Sequence, residues 1–330
     1  MIRIALLDDY QNVALDYAEW VRLPEGVSVE TFNEFINGGT DAVAKALEPF
    51  QIVMALRERT AFPRELLQRL PQLRLLTTAG MRNAAIDVDA ATALGILVCG
   101  TSGSVTATME LTWGLMLALV RHIPSEHTRM AEGRWQESVG IGLAGRTLGL
   151  IGLGRIGQQM VPIAKNFGMR VVAWSQNLTA EAAAKAGAER LDKDVLLAEA
   201  DIVSIHLKLS ERTTGLLGAR DLARMKRTAY LVNTSRGPIV EEAALLEALE
   251  QGRIAGAALD VYDEEPLPAR HPLRALKNVV LTPHLGYVTE ETYAQFYGDT
   301  LENIRAYLEG TPSRVLNPDV LGKLRPPPGA

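Results

Sequence analysis

Three kinds of polar side chain follow three apolar runs in the second half of the sequence, and together they suit the reduction of a carbonyl group. Arg236 follows the run 229–232, carboxylates stand at Asp260 and in the turn 263–265 after the next run, and His284 follows a third. Arginine binds carboxylates through a planar fork and polarises a neighbouring carbonyl. Histidine exchanges protons near neutral pH, and an adjacent carboxylate favours its protonated form and orients the ring. We expect these groups to meet, because the carboxyl ends of parallel strands share one sheet edge.

A glycine-rich turn with the pattern G-x-G-x-x-G lies between an apolar run and a helical segment, and a second β-rich run follows. This order holds a dinucleotide pyrophosphate. The first glycine permits the tight turn, the second lets the backbone approach the phosphates, and the third lets the helix pack closely while its N–H groups face the anion. We therefore predict cofactor contacts from Gly152, Gly154, Arg155, Ile156 and Gly157.

The residue that selects between NAD and NADP is expected about 20 residues further on, at the end of the second strand. That position is Ser175, and the following Gln176 and Asn177 also lack the carboxylate that binds the ribose hydroxyls of NAD. The missing acid removes a repulsion against the extra phosphate of NADP. No Lys or Arg stands among these residues to neutralise that phosphate. The sequence leaves both cofactors open and favours NADP.

Two series of alternating β-rich and helical segments position these residues, the first over 1–99 and the second over 146–284. Such alternation predicts an α/β protein with two doubly wound parallel-sheet domains and a cleft between them. The helical stretch 290–308 lies beyond the second series, and we expect it to return to the first domain. We predict one discontinuous domain of 1–99 and 287–330, and a dinucleotide-binding domain of 100–286.

Two further segments carry structural expectations. The segment 105–123 is predicted to form one long helix, and because nearly every residue from 111 to 120 is apolar or small, we expect burial on several of its sides. The final segment 321–330 contains three consecutive prolines and is expected to be disordered.

The composition excludes several classes of protein. The chain has 330 residues, a net charge of −5, 47% hydrophobic and 22% charged residues, which are ordinary globular values without a basic footprint for nucleic acid. No apolar run reaches the roughly 18 residues that span a bilayer, and the first residues do not resemble a secretion signal. Cys99 is the only cysteine, which fits a reducing cytoplasm. No group of residues has metal-ligand spacing, so no metal is predicted.

Four ordered motifs resemble those of the D-isomer-specific 2-hydroxyacid dehydrogenases, and the resemblance covers nearly the whole chain. They read GLIGLGRIG, VNTSRGPIVE, ALDVYDEEP and LTPHLG, at 149–157, 232–241, 258–266 and 281–286. The resemblance implies a flavodoxin-like substrate domain and a Rossmann cofactor domain. It also implies hydride transfer between a nicotinamide cofactor and a small 2-oxoacid or D-2-hydroxyacid, and a homodimer with 105–120 in its interface.

The same resemblance implies roles for individual residues. Arg236 would bind the substrate carboxylate and carbonyl, His284 would be the acid/base, and Glu265 would be its carboxylate partner. Asp260 would lie near the nicotinamide amide. The remaining cofactor contacts are predicted at Leu207, Thr234 and Gly286.

The loop that receives the substrate carboxylate departs from the family pattern A-G-x-G-x-D-N. Residues 79–85 read AGMRNAA, so that Arg82 replaces the second glycine and two alanines replace Asp-Asn. We predict substrate contacts from Ala79, Gly80 and Met81, with the Gly80 turn holding the carboxylate. Arg57 resembles a substrate-contacting arginine of phosphoglycerate dehydrogenase, and Arg57 or Arg82 is a candidate for binding a second acidic group.

Two histidines and one alternative function complete the predictions. His206 is expected to pack near the adenine side without a catalytic role, and His271 to lie in a loop without a visible partner. The alternative function is a dinucleotide-sensing binding protein of corepressor type on the same fold. Because the Arg, Glu and His positions are all present, the sequence favours the enzyme.

Overall fold

The computed structural model describes residues 1–325, and contact clustering divides the chain into two compact units. The first unit comprises Met1–Ser104 with Val288–Ala330, and the second is Val105–Tyr287. A sheet of five parallel strands forms the first unit, and a sheet of seven parallel strands forms the second. The prediction of two parallel-sheet α/β domains is confirmed.

The first unit has the strand order β2-β1-β3-β4-β5, which is the flavodoxin-like order. The inner strands β3 and β4 and the edge strand β5 are buried at every position, as in sheets covered on both faces, whereas the other edge strand, β2, alternates in exposure. The strands are β1 (Ile2–Leu6), β2 (Val27–Thr31), β3 (Ile52–Ala55), β4 (Leu75–Thr78) and β5 (Leu97–Gly100), and the helices between them are α1 (Gly39–Leu47), α2 (Arg64–Gln68) and α3 (Val88–Ala93).

The second unit contains helices α4 to α10 and strands β6 to β12. They are α4 (Thr106–Val120), α5 (Ile123–Ala131), β6 (Thr147–Ile151), α6 (Arg155–Asn166), β7 (Arg170–Trp174), α7 (Ala180–Lys185), β8 (Glu189–Arg190), α8 (Lys193–Glu199), β9 (Ile202–Ile205), α9 (Ala219–Leu222), β10 (Tyr230–Asn233), α10 (Glu242–Glu250), β11 (Gly256–Leu259) and β12 (Val279–Leu281). The order β12-β11-β10-β9-β6-β7-β8 reverses direction between β6 and β9, where doubly wound sheets bind ligands.

The helix predicted over 105–123 is interrupted, so the prediction of one continuous helix is wrong. Helix α4 ends at Val120, His122 adopts a left-handed backbone with φ of 54°, and α5 begins at Ile123 with Pro124 in its first turn. A proline is favoured at the start of a new helix because its missing N–H would have no intrahelical acceptor there. Helix α4 buries Trp113 and Met116 in its own unit, in a cluster with side chains of the sheet and of α6.

The last helix, α11 (Glu290–Leu308), belongs to the first unit and has the predicted bounds. After it, the chain runs beside β5, where the Asn317 side chain accepts from the Val98 N–H at 2.8 Å. Arg325 donates to the carbonyl of Leu94 at 2.5 Å. The predicted disorder is therefore wrong for 321–325, and 326–330 lie outside the described residues.

Candidate active site

Strands β10, β11 and β12 are parallel neighbours, so the segments that follow them emerge at one edge of the second unit's sheet. Asn233 at the end of β10 is paired with Leu259 of β11, and Leu259 is paired with Leu281 of β12. The predicted catalytic residues Arg236, Glu265 and His284 lie in these three segments.

His284 and Glu265 form a close hydrogen-bonded pair. The Nδ1 atom of His284 lies 2.6 Å from Oε2 of Glu265, and the side chains are only 11% and 21% exposed. The other carboxylate oxygen of Glu265 accepts the backbone N–H of Tyr262 at 3.0 Å, which fixes the carboxylate as well. His284 has a left-handed backbone with φ of 55°, a costly conformation for a non-glycine residue. The pair is therefore well oriented and shielded from water.

Asp260 holds the turn that carries His284. It is fully buried, and its carboxylate accepts hydrogen bonds from the Thr282 hydroxyl and the Leu285 N–H, each at 2.6 Å, and from the Gly286 N–H at 2.9 Å. Burial raises the pKa of this carboxyl, and the three hydrogen bonds and the charge of nearby His284 act against the rise. All three donors belong to the segment around His284. The structure thus gives Asp260 a positioning role, and its predicted place near the nicotinamide amide stays a prediction.

The turn that carries Arg236 is fixed by Asn233, which sequence reasoning did not single out. The buried Asn233 side chain donates to the Arg236 carbonyl at 2.9 Å and accepts from the Ser235 N–H at 3.0 Å. The Arg236 guanidinium donates to the Ser235 carbonyl at 2.6 Å. An Asn immediately after a strand is a recognisable turn signal, although it does not reveal which groups the amide will bind.

Gly237 brings the Arg236 turn against the segment that leads to Glu265. A Cβ at this position would lie 2.1 Å from the Tyr262 carbonyl carbon and 2.6 Å from the Asp263 nitrogen, far inside any real contact. Both obstacles are backbone atoms, which cannot rotate away. The absence of a side chain at Gly237 is thus what lets the turns after β10 and β11 lie in contact.

Two threonines of α4 connect this helix to the same edge of the sheet, and neither was predicted. The Thr108 hydroxyl donates to the Gly286 carbonyl at 2.8 Å. The buried Thr112 hydroxyl lies 2.7 Å from the Thr234 hydroxyl. Helix α4 therefore supports both the turn after β10 and the turn after β12, including the predicted cofactor contacts Thr234 and Gly286.

The glycine turn lies between β6 and the N-terminus of α6, as a pyrophosphate site requires. Gly152 has φ of 105°, and a Cβ there would lie 2.6 Å from the His206 carbonyl oxygen. A Cβ on Gly157 would lie 2.3 Å from the Gly152 oxygen, so this glycine allows the helix to approach its strand. In the described chain, no residue beyond the immediate chain neighbours of Gly154 lies within 4 Å of where its side chain would be. The turn therefore offers a backbone surface that an anion can approach.

The first N–H groups of α6 complete that surface. Arg155, Ile156 and Gly157 occupy the first turn of the helix, where N–H groups have no intrahelical acceptor and the helix dipole favours a negative charge. The residues present therefore fit a dinucleotide pyrophosphate.

Ser175 and Leu207 follow β7 and β9, which flank β6. Ser175 is half-buried, and the Leu207 carbonyl accepts from the Ser235 hydroxyl. His206 lies beside Leu207, its ring 3.0 Å from the Ser204 hydroxyl, and burial lowers its pKa to about 4. His206 is therefore neutral near pH 7, and its lack of a catalytic role stays a prediction.

In the first unit, the predicted substrate residues lie in the turns after β3 and β4. Arg57 has φ of 58° and donates from Nη1 to the Ala79 carbonyl at 3.2 Å. The Gly80 N–H donates to the Thr101 hydroxyl at 2.8 Å, so this donor of the predicted Gly80 turn already has a partner. The contact of the turn with the substrate carboxylate stays a prediction. In residues 1–325, no backbone hydrogen bond engages the N–H of Met81 or Arg82. The donors that remain in this turn are thus one and two residues beyond Gly80.

His271 does have a partner, because its Nε2 lies 3.0 Å from Oε1 of Glu242, and the prediction that it has none is wrong. The Arg82 side chain is exposed. Among the described residues, no group of three or more His, Cys, Asp or Glu side chains is placed to hold a metal ion. None of the helices in residues 1–325 combines the length and apolarity needed to cross a membrane.

Comparison with known proteins gives consistent matches. Residues 113–286 match the family model of the D-isomer specific 2-hydroxyacid dehydrogenase, NAD binding domain. The chain is 42% identical over 274 residues to a glyoxylate reductase of Aeropyrum pernix, covering 80% of this chain and 82% of that protein. It is 36% identical over 335 residues to a D-3-phosphoglycerate dehydrogenase of Synechocystis sp., covering 99% of this chain but only 59% of that longer protein.

A solved structure extends the agreement to three dimensions. The crystal structure of phosphoglycerate oxidoreductase from Vibrio cholerae superposes with a TM-score of 0.88 at 36% identity, covering 94% of this chain and 99% of that one. These relatives are named as enzymes, so the alternative of a dinucleotide-sensing binding protein finds no support. The resemblance in the four sequence motifs is confirmed, and the chain belongs to the D-isomer-specific 2-hydroxyacid dehydrogenase family, as an oxidoreductase with a nicotinamide-cofactor domain.

Proposed function

We propose that this chain reduces small 2-oxoacids to D-2-hydroxyacids, and catalyses the reverse oxidation, with His284 as the acid/base residue. The observation that carries the proposal is the 2.6 Å contact between His284 Nδ1 and Glu265 Oε2, in the unit that also holds the glycine turn. This contact occupies Nδ1, and Nε2 is therefore the atom assigned to exchange a proton with the substrate.

The other roles in the reaction are assigned to groups bound to or contained in the second unit. The nicotinamide cofactor, when bound to the glycine turn and the start of α6, supplies or accepts the hydride at the substrate's second carbon. Arg236 binds the substrate carboxylate and polarises the carbonyl group that becomes the hydroxyl. His284 donates its Nε2 proton to the carbonyl oxygen as that carbon is reduced, and the Glu265 carboxylate stabilises the imidazolium before the transfer. In the reverse direction, His284 removes the hydroxyl proton.

In the first unit, the turn after β4 supplies an anion site. The N–H groups of Met81 and Arg82 are proposed to bind the substrate carboxylate, beside the guanidinium of Arg57. A Cβ on Gly80 would lie 2.4 Å from Arg57 Nη1, which shows how closely the guanidinium lies over this turn. Two backbone donors and one cation form a suitable receptor for a carboxylate. Arg82 stays a candidate for contacting a second acidic group.

A substrate panel tests the proposed function. The oxidation of NADPH and of NADH is followed by absorbance with glyoxylate, hydroxypyruvate, pyruvate and longer 2-oxoacids. We expect turnover with at least one of the small 2-oxoacids. Cofactor binding without oxidation by any member of the panel would defeat the enzyme proposal.

The preferred cofactor is proposed to be NADP. The support is that no carboxylate stands directly after β7. Residues 175–177 are Ser, Gln and Asn, and Ser175 is half-buried. A carboxylate at this place would bind the ribose hydroxyls of NAD and repel the additional phosphate of NADP.

The Ser175→Asp variant tests this choice. We expect the ratio of kcat/KM for NADPH to that for NADH to fall at least about tenfold, because like charges placed together cost several kcal/mol. Steady-state kinetics with both cofactors at a fixed 2-oxoacid concentration measure the ratio. The control is Ser28→Asp, which adds the same charge at an exposed position of β2 in the first unit and should leave the ratio unchanged. If Ser175→Asp also leaves this ratio unchanged, position 175 does not discriminate between the two cofactors.

The chain is also proposed to form a homodimer. Four large apolar side chains are unusually exposed in α5 and the following loop, namely Ile123 at 53%, Met130 at 52%, Trp135 at 71% and Val139 at 93%. Exposed apolar residues grouped in one segment are typical of a protein interface. They support a contact at this segment better than at α4, which buries its apolar side chains in its own unit. Light scattering at micromolar concentration should give twice the chain mass, and the mass of a single chain would contradict the proposal.

A further inference from the structure

Asn83 ties together the two turns that form the proposed anion site of the first unit. Its Nδ2 atom donates to the Arg57 carbonyl at 2.6 Å and to the Thr78 hydroxyl at 2.9 Å. Its Oδ1 atom accepts the Ala85 N–H at 2.9 Å. One side chain thus connects the turn after β3, the end of β4 and the turn after β4.

The connection to Arg57 matters because that residue has an unfavourable backbone. Its φ of 58° lies in the left-handed region, which a residue with a branched or long side chain occupies only when its surroundings hold it there. The hydrogen bond from Asn83 fixes the carbonyl of this same residue. The guanidinium of Arg57 then reaches back to the Ala79 carbonyl at 3.2 Å and lies against Gly80.

Thr101 holds the opposite side of the turn. Its hydroxyl accepts the Gly80 N–H at 2.8 Å, and its own N–H donates to the Gly80 carbonyl at 3.3 Å. With Gly80 fixed from one side and Asn83 from the other, the peptide groups of Met81 and Arg82 are confined between two anchored residues. Their orientation therefore depends on both anchors.

We propose that Asn83 is a positioning residue for substrate binding, which holds Arg57 over the Met81 and Arg82 N–H groups. This inference rests on the proposed function. At positions 84 and 85, where the family pattern has Asp-Asn, this chain has two alanines. The side-chain amide is supplied from position 83, inside the turn.

A double-mutant cycle between Asn83 and Arg57 tests the proposal. We expect Asn83→Ala to raise KM for glyoxylate about tenfold while kcat changes less than about threefold, because the lost contact orients a binding group and leaves the acid/base pair intact. The inhibition constant of oxamate, a non-reacting carboxylate, should rise in parallel. In the Arg57→Ala background, Asn83→Ala should raise KM less than about twofold, because residues that act as one unit give non-additive effects.

Control variants separate positioning from general stability. Asn37→Ala removes an exposed amide of the same unit, which donates to the Phe35 carbonyl at 3.2 Å, and should leave KM unchanged. Asn83→Asp keeps the acceptor for Ala85 but loses both donors, so its KM should rise at least as much as that of Asn83→Ala. If Asn83→Ala does not fold, as judged by circular dichroism and thermal unfolding, the cycle is measured with Asn83→Asp.

The outcomes distinguish this inference from the proposed function. A wild-type chain without turnover on the whole substrate panel overturns both. An active wild type in which the effects of the two substitutions on KM multiply, or in which folded Asn83 variants keep the wild-type KM, overturns the role of Asn83 alone.

Discussion

The His284→Asn variant is expected to lose about three orders of magnitude in kcat for 2-oxoacid reduction, within the range of 10²–10⁴ that acid/base catalysis contributes. Asparagine can keep a hydrogen bond to Glu265, but it cannot deliver a proton to the carbonyl oxygen. Cofactor binding should stay within about twofold, because the glycine turn and α6 are formed by other residues. Steady-state kinetics give kcat, and the fluorescence of bound NADPH or NADH gives the dissociation constant.

The control for this substitution is His271→Asn. His271 belongs to the same unit and its Nε2 lies 3.0 Å from Oε1 of Glu242, so the variant makes the same substitution in a second His–Glu pair without touching the proposed acid/base residue. It should keep kcat within about threefold. Equal losses in the two variants would mean that His284 contributes to structure and not to proton transfer.

The Arg236→Lys variant is expected to lower kcat/KM by at least about 10², although the charge is kept. Lysine carries a point charge on a flexible stem and cannot bind two oxygens with a planar fork. A misplaced substrate loses reactivity as well as affinity, and a displacement of about 1 Å can cost 10²-fold. We therefore expect KM to rise and kcat to fall together. Kinetics over a range of 2-oxoacid concentrations measure both.

Arg253→Lys is the matched control for Arg236→Lys. Arg253 is exposed in the same unit and bonds to the Gln251 side chain at 2.9 Å. This variant should behave as wild type. A similarly mild effect of Arg236→Lys would show that any cation suffices at position 236. It would contradict the claim that the planar guanidinium fork is needed there.

The placement of the proposed catalytic residues at one sheet edge could be predicted from sequence, because they follow apolar runs of parallel strands. The runs before Arg236, Asp260 and His284 became the adjacent strands β10, β11 and β12. Continuous apolar runs are recognisable locally, and parallel connections bring their carboxyl ends to one edge. The helix α11 was also placed with its correct bounds, since Thr289 provides a recognisable N-cap whose hydroxyl accepts the Thr292 N–H at 3.3 Å.

The hydrogen bonds and close contacts between turns could not be predicted, because they depend on pairs of residues far apart in sequence. The sequence around Gly237 does not show that the missing side chain makes room for the Tyr262 carbonyl. Likewise, the bond between Asn83 and the Arg57 carbonyl joins residues from two different turns. A residue-type pattern indicates that a turn is present, whereas the partners of its polar groups are decided by the packing of neighbouring strands.

The interruption of the helix at His122 has a partial signal in the sequence. The apolar residues of 111–120 favour a continuous helix, but Pro124 shortly afterwards is typical of a helix start. The hydrogen bond from the Gly80 N–H to the Thr101 hydroxyl has no local signal, because Thr101 lies after a different strand, β5.

Isotope transfer from the cofactor tests the central claim most directly. The preferred cofactor, carrying deuterium at both C4 positions of the nicotinamide, is incubated with hydroxypyruvate or with whichever panel substrate gives a chiral product at the highest rate. The product is analysed by mass spectrometry and chiral chromatography. We predict one deuterium at the second carbon and the D configuration. A product without deuterium at that carbon, or with the L configuration, would contradict direct hydride transfer at a D-specific site.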